Sequence, residues 1–356
     1  MAFKAIITTD IHLRTTDKYG KILASGLNSR LQDRLDHLTQ SVNHALEEKV
    51  DYWICLGDVF DKINPAEILR KKFIEILAPL IRKKIPIIII IGNHDTDSKI
   101  YSFMTESDLL NTLASDAMTI IAEPCEMTLK GVECLMLPYT SDDIIEEWLT
   151  KTKDKVVFGH FGVSGAIVSG TEFILSKGLS PKLFNAHRYT YLGHYHKPQS
   201  TKKWMYIGSI AKASYGERND KKGYLFLKAS DKKISHTFVE VDDRIFFQYT
   251  IDEEQDPQFG ALLNWEDLEG QVVKLLFVGE EDWYLKFNIG EIRNRILKSL
   301  KASKLFIEHK TRTQARVRVP EIDASSDWKE GVEIYAKKTK RPDMIDLGLQ
   351  ILQEVI

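Results

Sequence analysis

The side chains best suited to chemistry are carboxylates, imidazoles and one amide, and each group stands directly after a short apolar run. FKAIITT leads to Asp10-Ile11-His12, and DYWICLG to Asp58-Val59-Phe60-Asp61. IPIIIIIG leads to Asn93-His94-Asp95, KVVFG to His160, and RYTYLG to His194-Tyr195-His196. Asp10, His12, Asp58, Asn93, His160, His194 and His196 include no thiolate. That mixture suits manganese, iron or zinc at a hydrolytic site; structural zinc sites prefer cysteine. These donors are too many for one compact ion with an open position, and two ions sharing a carboxylate fit better. Ions about 3.5–4 Å apart are a recurring device of phosphoester hydrolysis. Taken singly, each residue has a plainer reading. Asp10 could cap a turn, Asn93 could sit in a turn after Gly92, and His160 could be a satisfied polar group at a strand end. His194 and His196 point to one side of an extended chain, yet an isolated H-x-H is more often a solvated strand end. Their joint occurrence after five runs favours a shared metal site.

The elements needed to position these groups are legible as alternating strands and helices. The runs are rich in β-branched and aromatic residues, and Ile87–Ile91 suits a strand buried on both faces. Between the first three runs, Leu31–Lys49 carries Leu31, Leu35, Leu38, Val42 and Leu46 at helical spacing. Ala66–Lys84 does the same with Ile68, Phe73, Ile76, Leu77 and Leu80, and Pro65 is a suitable helix start. The first part therefore reads as α/β, and in such folds ligands sit beyond the carboxyl ends of the strands. Beyond Gly208 the texture becomes hairpin-like, with YLFLKA, ISHTFVEV and RIFFQYT. Asp252–Gln258 is the expected linker. A second unit follows, with strand-like QVVKLLFVG, a helix near Ile289–Ala302, and strand-like KLFIEHK and ARVRV. Helical stretches Asp327–Lys338 and Asp343–Ile356 flank Arg341-Pro342. The expected domains are 1–250, 259–325 and a tail at 327–356.

Bulk properties narrow the setting. The chain of 356 residues, 43% hydrophobic and 28% charged, is ordinary for a globular protein. A formal charge of -2 provides no global field for nucleic acid, so any such binding needs local patches. Three cysteines without C-x-x-C spacing point to a reducing, intracellular compartment, with Cys55 as a buried small hydrophobe. The N-terminus lacks a signal-peptide layout, and the longest aliphatic run, Ile85–Ile91, is too short to span a bilayer.

The series D-x-H, G-D-x-x-D, G-N-H-D, G-H and G-H-x-H resembles the calcineurin-like metallophosphoesterases. LGDVFD, GNHD, LGHYHKPQ and YIGSIAKASYGE resemble the branch of SbcD-type DNA repair exonuclease subunits, phage relatives included. The resemblance covers roughly Met1–Glu217. It implies a β-sandwich core flanked by helices, a smaller α+β capping domain and a C-terminal helical tail. It assigns Asp10, His12, Asp58 and His196 to one ion and Asp58, Asn93, His160 and His194 to the other, with Asp58 bridging. The ions implied are two Mn2+, with Mg2+ as the alternative. His94 would face the scissile phosphate, steadying its charge or protonating the leaving 3′ oxygen. Asp95 would orient the His94 ring, and Asp61 would take a supporting role.

The same resemblance implies 3′→5′ exonuclease action on duplex DNA and endonuclease action on single strands. It further implies an SbcC-type ATPase partner, a homodimer within a heterotetramer, and a bacterial or phage-infected host cytoplasm. DNA contacts are expected from Arg30, Arg34 and Lys212, and from Arg312, Arg316 and Arg318 in KTRTQARVR. The tail stripe containing Ile345, Leu349, Leu352 and Ile356 is the expected ATPase contact. The alternatives are a phosphodiesterase or phosphatase on the same core, or a binding scaffold with an inert site. Protein phosphatases of the superfamily carry GNHE and a longer G-D-x-V-D-R-G, whereas this chain has GNHD and GDVFD.

Overall fold

The computed structural model describes residues 2–96, 117–168, 173–255, 268–311, 328–338 and 345. The chain falls into two compact units. The larger comprises Met1–Thr250, Gly260–Leu276 and Asn288–Glu308, and the smaller comprises Ile251–Phe259, Phe277–Phe287 and His309–Ile356.

In the larger unit, β1 (Ala2–Thr8), α1 (Ser29–Glu47), β2 (Tyr52–Cys55), α2 (Glu67–Arg82) and β3 (Ile87–Ile90) follow one another. Next come β4 (Met118–Ile121), β5 (Cys125–Leu129), β6 (Val132–Leu137), α3 (Asp142–Lys151), β7 (Val156–His160) and β8 (Tyr189–Gly193). After them run β9 (Gln199–Ser200), β10 (Trp204–Tyr206), β11 (Gly223–Ser230) and β12 (Ile234–Glu240). These strands form two six-stranded sheets. The first has the order β12-β11-β1-β2-β3-β4, parallel from β1 to β4. The second has the order β5-β6-β7-β8-β10-β9, with β6, β7, β8 and β10 parallel.

The sheets pack face to face, and side-chain alternation explains the apolar runs. Ile88 and Ile90 point between the sheets with Ile7 and Ile54, against Met136, Phe158 and Tyr191. Ile87 and Ile89 point the other way, under Leu35, Leu38 and Val42 of α1 and Phe73, Leu77 and Leu80 of α2. On the outer face of the second sheet, Ile145 and Leu149 of α3 cover Leu135, Val157 and Leu192. A strand buried on both faces must be apolar throughout, which is why β3 reads IIII. The expected core, a β-sandwich flanked by helices, is present. The five runs that read as parts of one α/β unit are divided between two sheets. β4, β5 and β6 are further strands that the sequence does not announce, because short alternating segments there replace continuous apolar runs.

Helix limits follow local chemistry. The Asn28 side chain accepts from the Arg30 N–H at the start of α1, and Lys49 turns left-handed just after its end. The expected helix over Ile289–Ala302 is two pieces. An α-helical Ile289–Asn294 runs into a π-helical turn at Arg295–Ser299, and Lys301 is left-handed. A third sheet joins β13 (Phe246–Asp252), β14 (Val272–Val278) and β15 (Lys304–Lys310). In the smaller unit Phe277 meets Trp283, Tyr284 and Phe287, and Tyr284 stacks on His309. Trp328–Lys338 is helical as expected. The strand expected at ARVRV and most of the expected helix at Asp343–Ile356 lie outside the described residues.

Candidate metal centre

Five strand ends meet at one rim of the sandwich. Beyond β1 and β2 the two loops zip together, with Asp10 N–H donating to Gly57 O at 3.0 Å and His12 N–H to Asp58 O at 3.0 Å. Asp10, His12, Asp58 and His194 all have positive φ, at 49°, 48°, 54° and 99°. Non-glycine residues in that region carry strain of about 1–3 kcal/mol each and cluster at functional sites. The second sheet is tied to the first across the rim. His160 Nδ1 donates to Leu56 O at 2.6 Å, and His194 N–H donates to Asp10 Oδ2 at 3.1 Å.

Glycine makes this convergence sterically feasible. Gly57 sits at φ 98°, and a Cβ there would lie 2.6 Å from His160 Nδ1 and 2.7 Å from Gly92 Cα.

The donors fall into two groups around Asp58. His12 Nε2 and His196 Nε2 face each other at 3.1 Å, with Asp10 Oδ1 at 3.9 and 3.8 Å from them. On the other side, Asn93 Oδ1 lies 3.0 Å from His160 Nε2 and 2.9 Å from His194 Nδ1. Asp58 Oδ2 stands between, 3.5 Å from His12 Nε2 and 3.4 Å from His160 Nε2. All seven predicted donors are therefore brought together. Two imidazole nitrogens at contact distance can share at most one proton between two lone pairs. A cation resolves that opposition, and the carboxylate, imidazole and amide set fits two metal ions.

Local electrostatics sort the protonation states. Burial, with His196 nearby, pushes His12 well below the usual imidazole range. Burial and His160 push His194 down to about 3. Both rings are thus neutral, the form that ligates metal. Burial opposes the charge on His160, but the Asp58 carboxylate beside it prevails and raises it to about 9. This is the charge a bound cation would replace. Asp58 resists protonation; burial works against its charge, and His160 and His12 hold it below the ordinary range.

His94 lies beside this cage, its ring 4.7 Å from that of His12. Its N–H donates to Asp58 Oδ1 at 2.8 Å. Its ring is oriented by the Asp61 carbonyl, which meets Nδ1 at 3.0 Å. Here the structure corrects the role expected of Asp95. The buried Asp95 Oδ2 instead accepts from the Asp58 N–H at 2.7 Å and the Gly92 N–H at 3.0 Å, fastening the β2 loop to the β3 loop. Burial and then Asp58 raise its carboxyl to about 7. The Asp61 side chain takes Arg14 Nη1 at 3.2 Å.

The structure also corrects part of the expected DNA surface. Arg30 and Arg34 are buried, at 0% and 1% exposure, and Lys212 is nearly so at 8%. Arg30 Nη1 contacts Asp33 at 2.6 Å and Asp243 at 3.0 Å. Arg34 pairs with Asp17 at 3.2 Å, and Lys212 with Asp243 at 3.5 Å. Their charges are spent inside the fold, and phosphate cannot reach them. Arg312, Arg316 and Arg318 lie outside the described residues, as do Leu349, Leu352 and Ile356; Ile345 is helical and half-buried.

Sequence reasoning missed three neighbours of the cage. Glu217 Oε1 meets His196 Nδ1 at 3.1 Å, and Lys222 Nζ meets Glu217 Oε2 at 2.7 Å. Tyr139, 42% exposed, holds its ring 6.2 Å from that of His194. Glu217 was legible only as the end of YIGSIAKASYGE, and no spacing rule links Lys222 or Tyr139 to the histidines.

A two-metal cage at the strand ends of a helix-flanked double sheet defines a metal-dependent phosphoester hydrolase. The chain belongs to the calcineurin-like phosphoesterase family, whose family model matches residues 3–198, more than half of its length. It is 29% identical over 269 residues to a protein of Staphylococcus epidermidis named as the D component of nuclease SbcCD, covering 66% of this chain and 69% of that one. Among solved structures it is similar to a purple acid phosphatase from yellow lupin seeds, with 15% identity, a TM-score of 0.45 and coverage of 67% of this chain and 52% of that one. It is also similar to a dimetal phosphatase from Danio rerio, with 11% identity, a TM-score of 0.42 and coverage of 66% and 95%.

Proposed function

We propose that this chain is the nuclease component of an SbcCD-type assembly, cleaving DNA phosphodiesters with two bound Mn2+ ions. The observation that supports hydrolysis is the convergence of seven donors around Asp58 with His94 beside them. The observation that supports DNA as the substrate is the similarity to the D component of nuclease SbcCD over 66% of the chain.

Two divalent ions at such a site supply Lewis acidity and a hydroxide nucleophile near neutral pH. Asp10, His12, Asp58 and His196 would hold one ion, and Asp58, Asn93, His160 and His194 the other. The chain's own contribution begins with position. The backbone bonds between the β1 and β2 loops fix Asp10 and Asp58 before substrate arrives, so their orientation costs nothing during the reaction. The Asp61 carbonyl accepts the His94 Nδ1–H, so in the doubly protonated ring the Nε2–H would steady the phosphate or pass its proton to the departing 3′ oxygen, leaving His94 neutral.

The finer reading extends to 3′→5′ exonuclease action on duplexes and endonuclease action on single strands. An SbcC-type ATPase would be the partner of a homodimer in the cytoplasm. Residues 259–325, including Arg312, Arg316 and Arg318, would cap the DNA, and the tail at 327–356 would meet the ATPase.

The test offers purified protein a chromogenic phosphodiester, a phosphomonoester and linear duplex DNA side by side with Mn2+. Cleavage of the DNA and the diester in preference to the monoester is expected. Hydrolysis of the monoester alone would replace this reading with a phosphatase.

A further inference from the structure

Lys222 is a lysine whose side chain is fully buried, and the fold satisfies it completely. Its Nζ donates to the His196 carbonyl at 2.8 Å and to Ser209 Oγ at 2.9 Å, and pairs with Glu217 Oε2 at 2.7 Å. An ammonium has three protons to donate, so every one is used. The buried Glu217 is equally committed. Its Oε2 also accepts from the Ala213 N–H at 3.1 Å, and its Oε1 meets His196 Nδ1 at 3.1 Å. The His196 carbonyl takes a further bond from the Ser209 N–H at 3.2 Å. His196 is therefore gripped at the backbone and at the ring by one charged pair. Burying such a pair brings little net stability, because desolvation offsets the attraction. Its placement against a single imidazole gives it another purpose.

We infer that Glu217, locked by Lys222, is a positioning residue that fixes His196 with its proton on Nδ1 and its lone pair on Nε2, and so selectively builds the ion position shared with Asp10 and His12. A carboxylate can only accept here, so the ring nitrogen facing Glu217 must carry the hydrogen. Nε2 is then the nitrogen left to ligate, and it is the atom that meets His12 Nε2 at 3.1 Å. The other side of the cage has its own device, since His160 Nδ1 bonds Leu56 O at 2.6 Å. The two ion positions share Asp58, but one histidine in each has its own support, a buried ion pair for His196 and a backbone carbonyl for His160. Carboxylate partners of ligating histidines typically change metal affinity about 10–100-fold.

The inference rests on the two-metal reading, and the experiment separates them. Full-length protein stripped of metal is titrated with Mn2+ by equilibrium dialysis, and its imidazole tautomers are read by 15N NMR. Wild type should take up two ions and show His196 as the Nδ1–H form. Glu217→Gln should weaken one binding step about 10–100-fold, leave the other unchanged, and mix the His196 tautomers. Should Glu217→Gln fail to fold, Glu217→Gln with Lys222→Met buries no unpaired ammonium and makes the same comparison. Two unchanged steps, or two steps weakened equally along with a lower Tm, would reduce Glu217 to a structural role and overturn the inference. Wild type binding no Mn2+ would remove the two-metal reading itself, and this inference with it.

Discussion

At the scale of single residues, the cage separates groups that hold charge from the group that acts on substrate. His94 lies among the donors, yet its ring is anchored to a backbone carbonyl and its N–H to Asp58. His94→Ala should therefore keep Mn2+ stoichiometry while lowering turnover of a phosphodiester about 10²–10⁴-fold; dialysis and steady-state kinetics on one preparation check both halves. The buried arginines make a different prediction. Asp243 faces Arg30 and Lys212. Burial raises its carboxyl, but these two cations prevail and hold it below the ordinary 3.8. Asp17 behaves alike: burial works against its charge, and Arg34 and Arg14 prevail. A carboxyl more acidic in the folded state means that the unfolded chain binds more protons in that interval. The stabilisation is complete above about pH 4 and lost as pH falls through the folded values. Asp243→Ala should cost about 3–5 kcal/mol, because it removes the buried carboxylate shared by Arg30 and Lys212 and leaves Arg30 paired with Asp33 alone. It should also flatten the dependence of stability on pH below 4. Urea unfolding of both proteins across that range tests this, and parallel curves would count against it.

At the scale of elements, loops rather than strands carry the strain, and strands carry the loops to one rim. The loops after β1, β2 and β3 are bound to one another by main-chain and Asp95 hydrogen bonds, so they behave as one piece. Gly57 is one of the points where they touch closely. Gly57→Ala adds a methyl that meets His160 Nδ1 at 2.6 Å, in a left-handed conformation that costs about 1–3 kcal/mol. Expected are a lower Tm and loss of at least one bound Mn2+, since the methyl displaces a donor ring. Full metal occupancy in the variant would show that the rim is more compliant than its packing implies.

At the scale of the molecule, the cage is one place where the two sheets are held together by polar contacts beyond their shared apolar core. Asp10 accepts the His194 N–H, and Leu56 accepts His160 Nδ1. Ions held jointly by residues of both sheets should therefore stabilise the whole sandwich. A ligand that binds only the folded state contributes about 2.7 kcal/mol at a hundred times its Kd. Chelation should lower Tm, and Mn2+ should restore it in a concentration-dependent way; a Tm indifferent to both would mean the rim is rigid without metal. No described helix is long and apolar enough to cross a membrane.

That the five apolar runs are strands, and that candidate donors follow them, is legible in the sequence because both are local; the division of those strands between two sheets is not. A run such as IIII records burial on two faces, and a polar group directly after it records a strand end. The same locality reveals a shared carboxylate chemistry without placing any atom. It fails where the outcome depends on distant partners. Arg30 and Arg34 look like solvated charge along α1, and only the approach of Asp17 and Asp243 turns them inward. Asp95 looks like a partner for its neighbour His94, yet the folded loops give its oxygen to Asp58 and Gly92. Glu217 closes the YIGSIAKASYGE segment and Lys222 follows it, but neither position announces a contact with His196. Residue types and their spacing suffice to say which atoms can bind metal and that they follow strands. Which charges are buried and which donors share an ion is settled in three dimensions, because those outcomes depend on contacts between segments well separated in the chain, such as His160 with Leu56 and His12 with His196.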